Sequence, residues 1–170
     1  MTPFTRVRSR SVVLRASDVD TDRIIPARHL KTTSKHGLGG HLFSDWPEFP
    51  REDARGAEIL VAGPNFGCGS SREHAVWALL DFGFRAVIAP SFGDIFRGNA
   101  LKNGLLPVAL DRVAGGVVTV DLEKLTVESG GVVQSFVVEP FARRLLLAGQ
   151  DELGYLLGLL PRIEAFERCA

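Results

Sequence analysis

Between residues 59 and 110 the sequence alternates three short apolar runs with two helical patterns, and no other feature limits the possible folds as tightly. Ile59–Ala62, Ala86–Ala89 and 106–110 have the length and composition of buried strands. The 72–82 segment carries Ala75, Val76, Ala78, Leu79 and Phe82 at helical spacing and stops at Gly83. The 91–103 segment is predicted to turn Phe92, Ile95, Phe96 and Leu101 inward, and Gly104 ends it. Strand, helix, strand, helix, strand with connections this short predicts parallel strands joined by right-handed crossovers.

The flanks are less regular. Residues 12–14 form a short apolar run read as a strand. Asp18-Val-Asp-Thr-Asp22 is too polar for a core strand and reads as a loop shaped by its own side chains. Pro26 opens a turn or short helix over 27–30, and the Gly-, Ser- and Thr-containing segment 31–40 is expected to be mobile. Phe43 and Trp46 supply an aromatic anchor, and 47–56 reads as an exposed connection. Residues 117–138 hold three short β-rich runs around Ser129-Gly130-Gly131, an antiparallel signature. A helix is expected over 141–148, closed by Gly149, then an amphipathic stretch over 152–166 interrupted at Gly158 and Pro161. The expected architecture is one α/β domain over 1–170, a parallel βαβαβ unit with an added antiparallel segment. A chain of this length can bury ~70% of its unfolded surface.

Charge and cysteine usage narrow the function. Twenty basic and 20 acidic residues cancel, so no long-range field draws nucleic acid or anionic lipid. No apolar run reaches the ~18 residues of a membrane span. Arg6, Arg8 and Arg10 make the N-terminus basic, but no apolar signal region follows them. Two cysteines, Cys68 and Cys169, point to a reducing, cytoplasmic setting. They also cannot supply a four-sulfur zinc or iron–sulfur site, so no metal site is expected in this chain.

The densest chemistry is Asn65-Phe-Gly-Cys-Gly-Ser-Ser-Arg-Glu-His74, between the first strand and first helix of the parallel unit. Ligands of open α/β sheets bind at the carboxyl ends of strands, which is where this turn falls. Gly67 and Gly69 allow close backbone approach, and the following helix directs its free N–H groups at the turn. Arg72 adds a planar fork suited to a carboxylate. A purely structural reading competes: Ser70 and Glu73 fit the capping box S-x-x-E. Cys68 fits a small buried thiol, and His74 a packed or capping side chain, better than a reactive pair. The spacing is neither that of a phosphate loop nor that of a nucleophile elbow.

This string resembles the serine loop on the mobile swivel domain of the aconitase superfamily. The likeness extends along nearly the whole chain, in order. Asp18 to Asp22 with Ile24-Ile25-Pro26 is similar to the family's opening motif. Gly39-Gly-His-Leu-Phe-Ser-Asp-Trp46 resembles the version in bacterial isopropylmalate isomerases. Ala89-Pro-Ser-Phe-Gly-Asp-Ile-Phe96 and Lys102-Asn-Gly-Leu-Leu-Pro107 are similar to stretches of their small subunits, as are Asp151-Glu-Leu-Gly-Tyr155 and Ile163-Glu-Ala-Phe-Glu167. The resemblance implies an aconitase-like swivelling β/β/α domain and a hydro-lyase of leucine biosynthesis. That reaction interconverts 2-isopropylmalate and 3-isopropylmalate by removing and re-adding water. It implies a separate large subunit holding a 4Fe-4S cluster, with no cofactor on the present chain. It further implies Ser70 as general base, Ser71 and Arg72 as carboxylate binders, Asp22 as an acidic group near the site, and Lys31 in a loop that closes over substrate. Gly67 and Gly69 belong to the anion-stabilising loop. For Asp18 and Asp20, loop-shaping hydrogen bonds are the preferred reading.

The sequence departs from the family pattern in a short 46–58 connection lacking Asn-Pro-x-Phe, and in an abbreviated region after Pro107. These changes keep open a related diacid substrate of methylmalate, homoaconitate or maleate type. A non-catalytic anion-binding or regulatory domain is the second alternative.

Overall fold

A computed structural model of the chain describes residues 1–168; Cys169 lies outside the described residues. Seven strands form one sheet. They are β1 (Arg6–Leu14), β2 (Ile59–Ala62), β3 (Ala86–Ala89), β4 (Leu106–Ala109), β5 (Gly116–Asp121), β6 (Thr126–Ser129) and β7 (Val132–Ser135), in spatial order β4-β3-β2-β1-β5-β6-β7. The pairings from β1 to β4 are parallel and those from β1 to β7 antiparallel. The expected parallel unit and antiparallel addition are therefore one sheet, and β1 is the strand where its sense changes.

Among the described residues six α-helices accompany the sheet: α1 (Thr21–Ile24), α2 (Arg51–Ala54), α3 (Glu73–Phe82), α4 (Asp94–Asn103), α5 (Pro140–Ala148) and α6 (Glu152–Glu167). Strands β2 and β3 are buried at every position because both faces are covered. Leu60, Ala62, Val87 and Ala89 pack with α1, α3 and the Phe43 region on one face. Ile59, Val61, Ala86 and Ile88 pack with the antiparallel strands and Leu146 of α5 on the other. Burial of each Leu, Val or Ile among them contributes roughly 1.5–3 kcal/mol, so the two cores explain why these runs lack polar alternation. At the β6–β7 hairpin, Gly130 and Gly131 both take positive φ, the two-residue turn that glycine pairs favour.

Several expectations are corrected. The first strand is nine residues long and begins at Arg6. Arg6, Arg8 and Arg10 are its outward positions, alternating with inward Val7 and a half-buried Ser9. The 18–22 loop runs into the short helix α1, which Asp20 caps by accepting from the Arg23 N–H at 2.7 Å. The 47–56 connection is exposed only in part, since it includes α2 and buries Phe49 and Ala54. Helix α4 starts at Asp94 rather than residue 91, because Ser91 and Gly93 bond the serine loop, and Ile95 points outward at 54% exposure. Helix α6 runs through Gly158 and Pro161 without a break. Pro161 removes one donor, whose carbonyl partner on exposed Leu157 can be hydrated. None of the α6 residues is buried. Among the described residues, no helix is long and apolar enough to cross a membrane.

Candidate active site

The 18–22 segment lies alongside the serine loop in a parallel fashion. The Asp18 N–H donates to the Pro64 carbonyl (2.9 Å), the Gly67 N–H to Val19 (2.7 Å) and the Thr21 N–H to Cys68 (3.1 Å). The buried Thr21 hydroxyl then donates to the Ser70 carbonyl at 3.0 Å. Asp18 and Asn65 both take the left-handed conformation, and the Asn65 amide donates to the Asp18 carboxylate at 2.7 Å. The loop-shaping reading of Asp18 and Asp20 agrees with these contacts.

From the other side, α4 and its leader support the loop. The Asn65 N–H donates to the Ser91 hydroxyl (2.8 Å), the Phe66 N–H to the Ser91 carbonyl (3.1 Å), and the Gly93 N–H to the Phe66 carbonyl (3.0 Å). Gly67 has φ +75° and sits against the Phe96 ring, so an added Cβ would collide with that ring. These contacts fix the backbone from Asp18 to Ser70 on both flanks.

The capping box does not form. The N-cap of α3 is Arg72, with no side-chain cap, and Glu73 accepts from the Asn103 amide at 2.6 Å instead. Ser70 and Ser71 are exposed. Among the described residues, no hydrogen bond takes up the N–H groups of Ser71 and Arg72. Free N–H groups entering a helix favour negative charge placed before them. The structure thus leaves the Ser70 hydroxyl available for chemistry.

Arg72 pairs with Asp22, which brings two of the expected residues together. The guanidinium is mostly covered, at 19% side-chain exposure, whereas Asp22 is half open at 51%. A cavity of about 430 Å³ is lined by Leu30, Ser71, Arg72, Glu73, His74, Trp77 and Asn99. Lys31 is exposed beside Leu30, and no hydrogen bond or ion pair ties it to Arg72 or Asp22 among the described residues. A larger groove, about 560 Å³, lies among Leu14, Gly63, Pro90 and Arg112, away from Ser71 and Arg72. Its lining holds Arg15, Asp111 and Arg112 among aliphatic, glycine and proline residues but none of the expected site residues, so the smaller cavity is the stronger candidate.

Cys68 is not activated. Burial pushes its thiol up, and the Asp20 and Asp18 charges add to this. Such a thiol is a poor metal ligand, and among the described residues no group of three or more His, Cys, Asp or Glu could hold a metal ion. The described residues do not fit an iron–sulfur cluster.

Asn103 and Trp77 were not singled out by sequence, and for Thr21 a loop-shaping bond was expected but not its reach to Ser70. Thr21 lies 49 residues from Ser70 and Asn103 lies 30 from Glu73, separations at which a sequence pattern carries no signal. The spacing of Glu73, Trp77 and Asp81 along one side of α3 was the available clue.

The aconitase C-terminal domain family matches residues 47–113. The chain is 52% identical to a 3-isopropylmalate dehydratase small subunit of Anaeromyxobacter dehalogenans, over 98% of both chains. It is 50% identical to one from Solibacter usitatus, over 98% of this chain and 94% of that one. The alignment with the first spans 187 positions against 170 residues here, so that relative carries segments this chain lacks. A crystal structure of 3-isopropylmalate dehydratase from Methanocaldococcus jannaschii superposes with a TM-score of 0.80 at 33% identity, covering 95% of this chain and 99% of that one.

Proposed function

The chain belongs to the family of 3-isopropylmalate dehydratase small subunits, and on that premise we propose that it supplies the proton-transferring half of a two-subunit hydro-lyase. The substrate is the 2-isopropylmalate and 3-isopropylmalate pair of leucine biosynthesis. The observation that supports this most is the state of Ser70. Its hydroxyl is free of the cap it could have made, beside free N–H groups and the Arg72 fork.

In this reading Ser70 Oγ, as an alkoxide, accepts the proton from the substrate carbon while the C–C double bond forms and hydroxide leaves. It returns a proton when water adds in the other orientation. A serine alkoxide needs local stabilisation, which the N–H groups of Ser71 and Arg72 and the α3 terminus can supply. The Arg72 fork and the Ser71 hydroxyl hold a substrate carboxylate, and Asp22 keeps the fork oriented until substrate arrives. Lys31, with the 31–37 segment, covers the bound substrate and excludes water. A four-iron cluster bound to the large subunit would supply the Lewis acid for the departing hydroxyl, and the described residues of this chain offer it no set of ligands. Residues 1–170 act as one swivel-type domain in the cytoplasm, bound to that large subunit.

The test is reconstitution with the cognate large subunit. The chain alone should show no dehydratase activity, and the complex should turn over 2-isopropylmalate with a higher kcat/KM than methylmalate, homoaconitate or maleate-type acids. A complex that prefers one of those acids would replace the substrate. A complex inactive on all of them would leave an anion-binding domain.

A further inference from the structure

Resting on that substrate reading, we infer that His74 is a positioning residue, which through the Thr32 carbonyl sets where Leu30 and Lys31 stand beside the carboxylate fork. The 31–38 segment has no helix or strand of its own to hold it, and a 3-10 turn begins at Gly39. The segment is instead moored to α3 and the end of α4 by three hydrogen bonds. His74 Nε2 meets the Thr32 carbonyl at 2.9 Å. The Lys35 ammonium donates to the Asn103 side-chain oxygen at 3.0 Å and lies 5.4 Å from the Trp77 ring centre. The Gly39 N–H donates to Asp81 at 2.7 Å.

The moorings differ in what they can control. At Gly39 the chain passes so close to the Asp81 and Phe82 backbone that a Cβ would collide, and Leu38 beside it is buried. That end is locked by packing. The Lys35 mooring lies four residues beyond Lys31, and Lys35 itself is exposed. Only the His74 bond grips the segment near the cavity, at a residue two positions from Leu30, which lines it with Arg72.

The chemistry of the bond fixes the His74 tautomer. A carbonyl can only accept, so Nε2 carries the proton. The ring is held by Trp77, whose centre lies 4.6 Å away, and Trp77 donates its indole N–H to Asn103 at 3.0 Å. Asn103 in turn donates to Glu73 and to the Asn99 carbonyl. The donor that grips Thr32 is therefore supported by a connected polar network and does not swing freely. His74 also follows Arg72 by two residues at the start of the same helix, so one rigid element carries both the carboxylate fork and the grip on the covering segment.

The test uses the full chain reconstituted with its large subunit. His74→Ala should raise KM for 2-isopropylmalate about fivefold, the weight of one hydrogen bond, with kcat within about twofold. His74→Gln, whose amide N–H can still reach the carbonyl, should restore most of the KM. In parallel, tryptic cleavage after Lys31 in the folded chain should quicken about fivefold for His74→Ala and stay near wild type for His74→Gln. Unchanged KM for His74→Ala, or no rescue by glutamine, overturns the positioning role, whether or not cleavage quickens. If the wild-type complex turns over no 2-isopropylmalate, the substrate reading fails separately. The cleavage rates then decide the grip by themselves, and unchanged rates overturn it.

Discussion

Ser70, Arg72 and Gly67 divide the work of the serine loop among three different physical properties. Ser70 contributes an exposed hydroxyl, Arg72 a largely covered side chain, and Gly67 a left-handed backbone set so close to Phe96 that a Cβ would collide. Arg72→Lys keeps the charge but loses the two parallel donors and the geometry of the Asp22 pair. Steady-state kinetics on the complex should show a KM at least about tenfold higher with a smaller change in kcat. An unchanged KM would remove Arg72 from carboxylate binding. Gly67→Ala combines a φ of +75° with a collision against Phe96. Urea unfolding should show a loss of about 2 kcal/mol or more. At this scale the Ser70-Ser71-Arg72 string was legible because its residue types and its place before a helix are local facts. The fate of the capping box was not legible. Glu73 is claimed by Asn103, and which partner wins a carboxylate is decided by tertiary structure.

Elements followed the sequence where periodicity was strong and departed from it where loops claimed residues. The three strands and two helices between 59 and 110 appear as expected except at the start of α4. There Ser91 and Gly93 bond the serine loop in preference to continuing the helix. Strand β1 was underestimated because its outward positions are arginines, which hide the alternation behind charge. Two element-scale outcomes follow from cap and propensity physics. Gly98 lies inside α4 with open space where a Cβ would go, so Gly98→Ala should stabilise the chain by about 0.5–1 kcal/mol in thermal or urea unfolding. Glu139 caps α5 by accepting from the Phe141 and Ala142 N–H groups, and these bonds hold its carboxyl below its ordinary value. A carboxylate depressed on folding stabilises above its unfolded pKa, and that contribution disappears as pH falls through the folded value. Melting curves between pH 3 and 7 should show Glu139→Gln less stable than wild type at neutral pH. The gap should close on acidification below about 4.5. A gap independent of pH would show that the cap does not act through ionisation.

For the whole molecule, the sheet carries two cores of different origin, and the site stands over the parallel half. Local apolar runs announced both halves. Their fusion through β1 was not readable, because which strand lies along each edge of β1 is not written in its composition. The balanced charge and the scarcity of cysteine acquire a fuller meaning at this scale. The described residues place an exposed serine, a mostly covered arginine paired with Asp22 and a moored segment together, and the proposed function reads these as base, carboxylate fork and cover. In the proposed function, the exposed Ser70 and the cavity that Ser71 and Arg72 line form half of a reaction chamber, with the other half on a large subunit. The turnover of the reconstituted complex with Ser70→Ala tests this most directly. It should bind the large subunit as wild type does and lose at least about 10²-fold in kcat on 2-isopropylmalate, the scale of a lost general base. Near wild-type kcat in an intact complex would contradict the account.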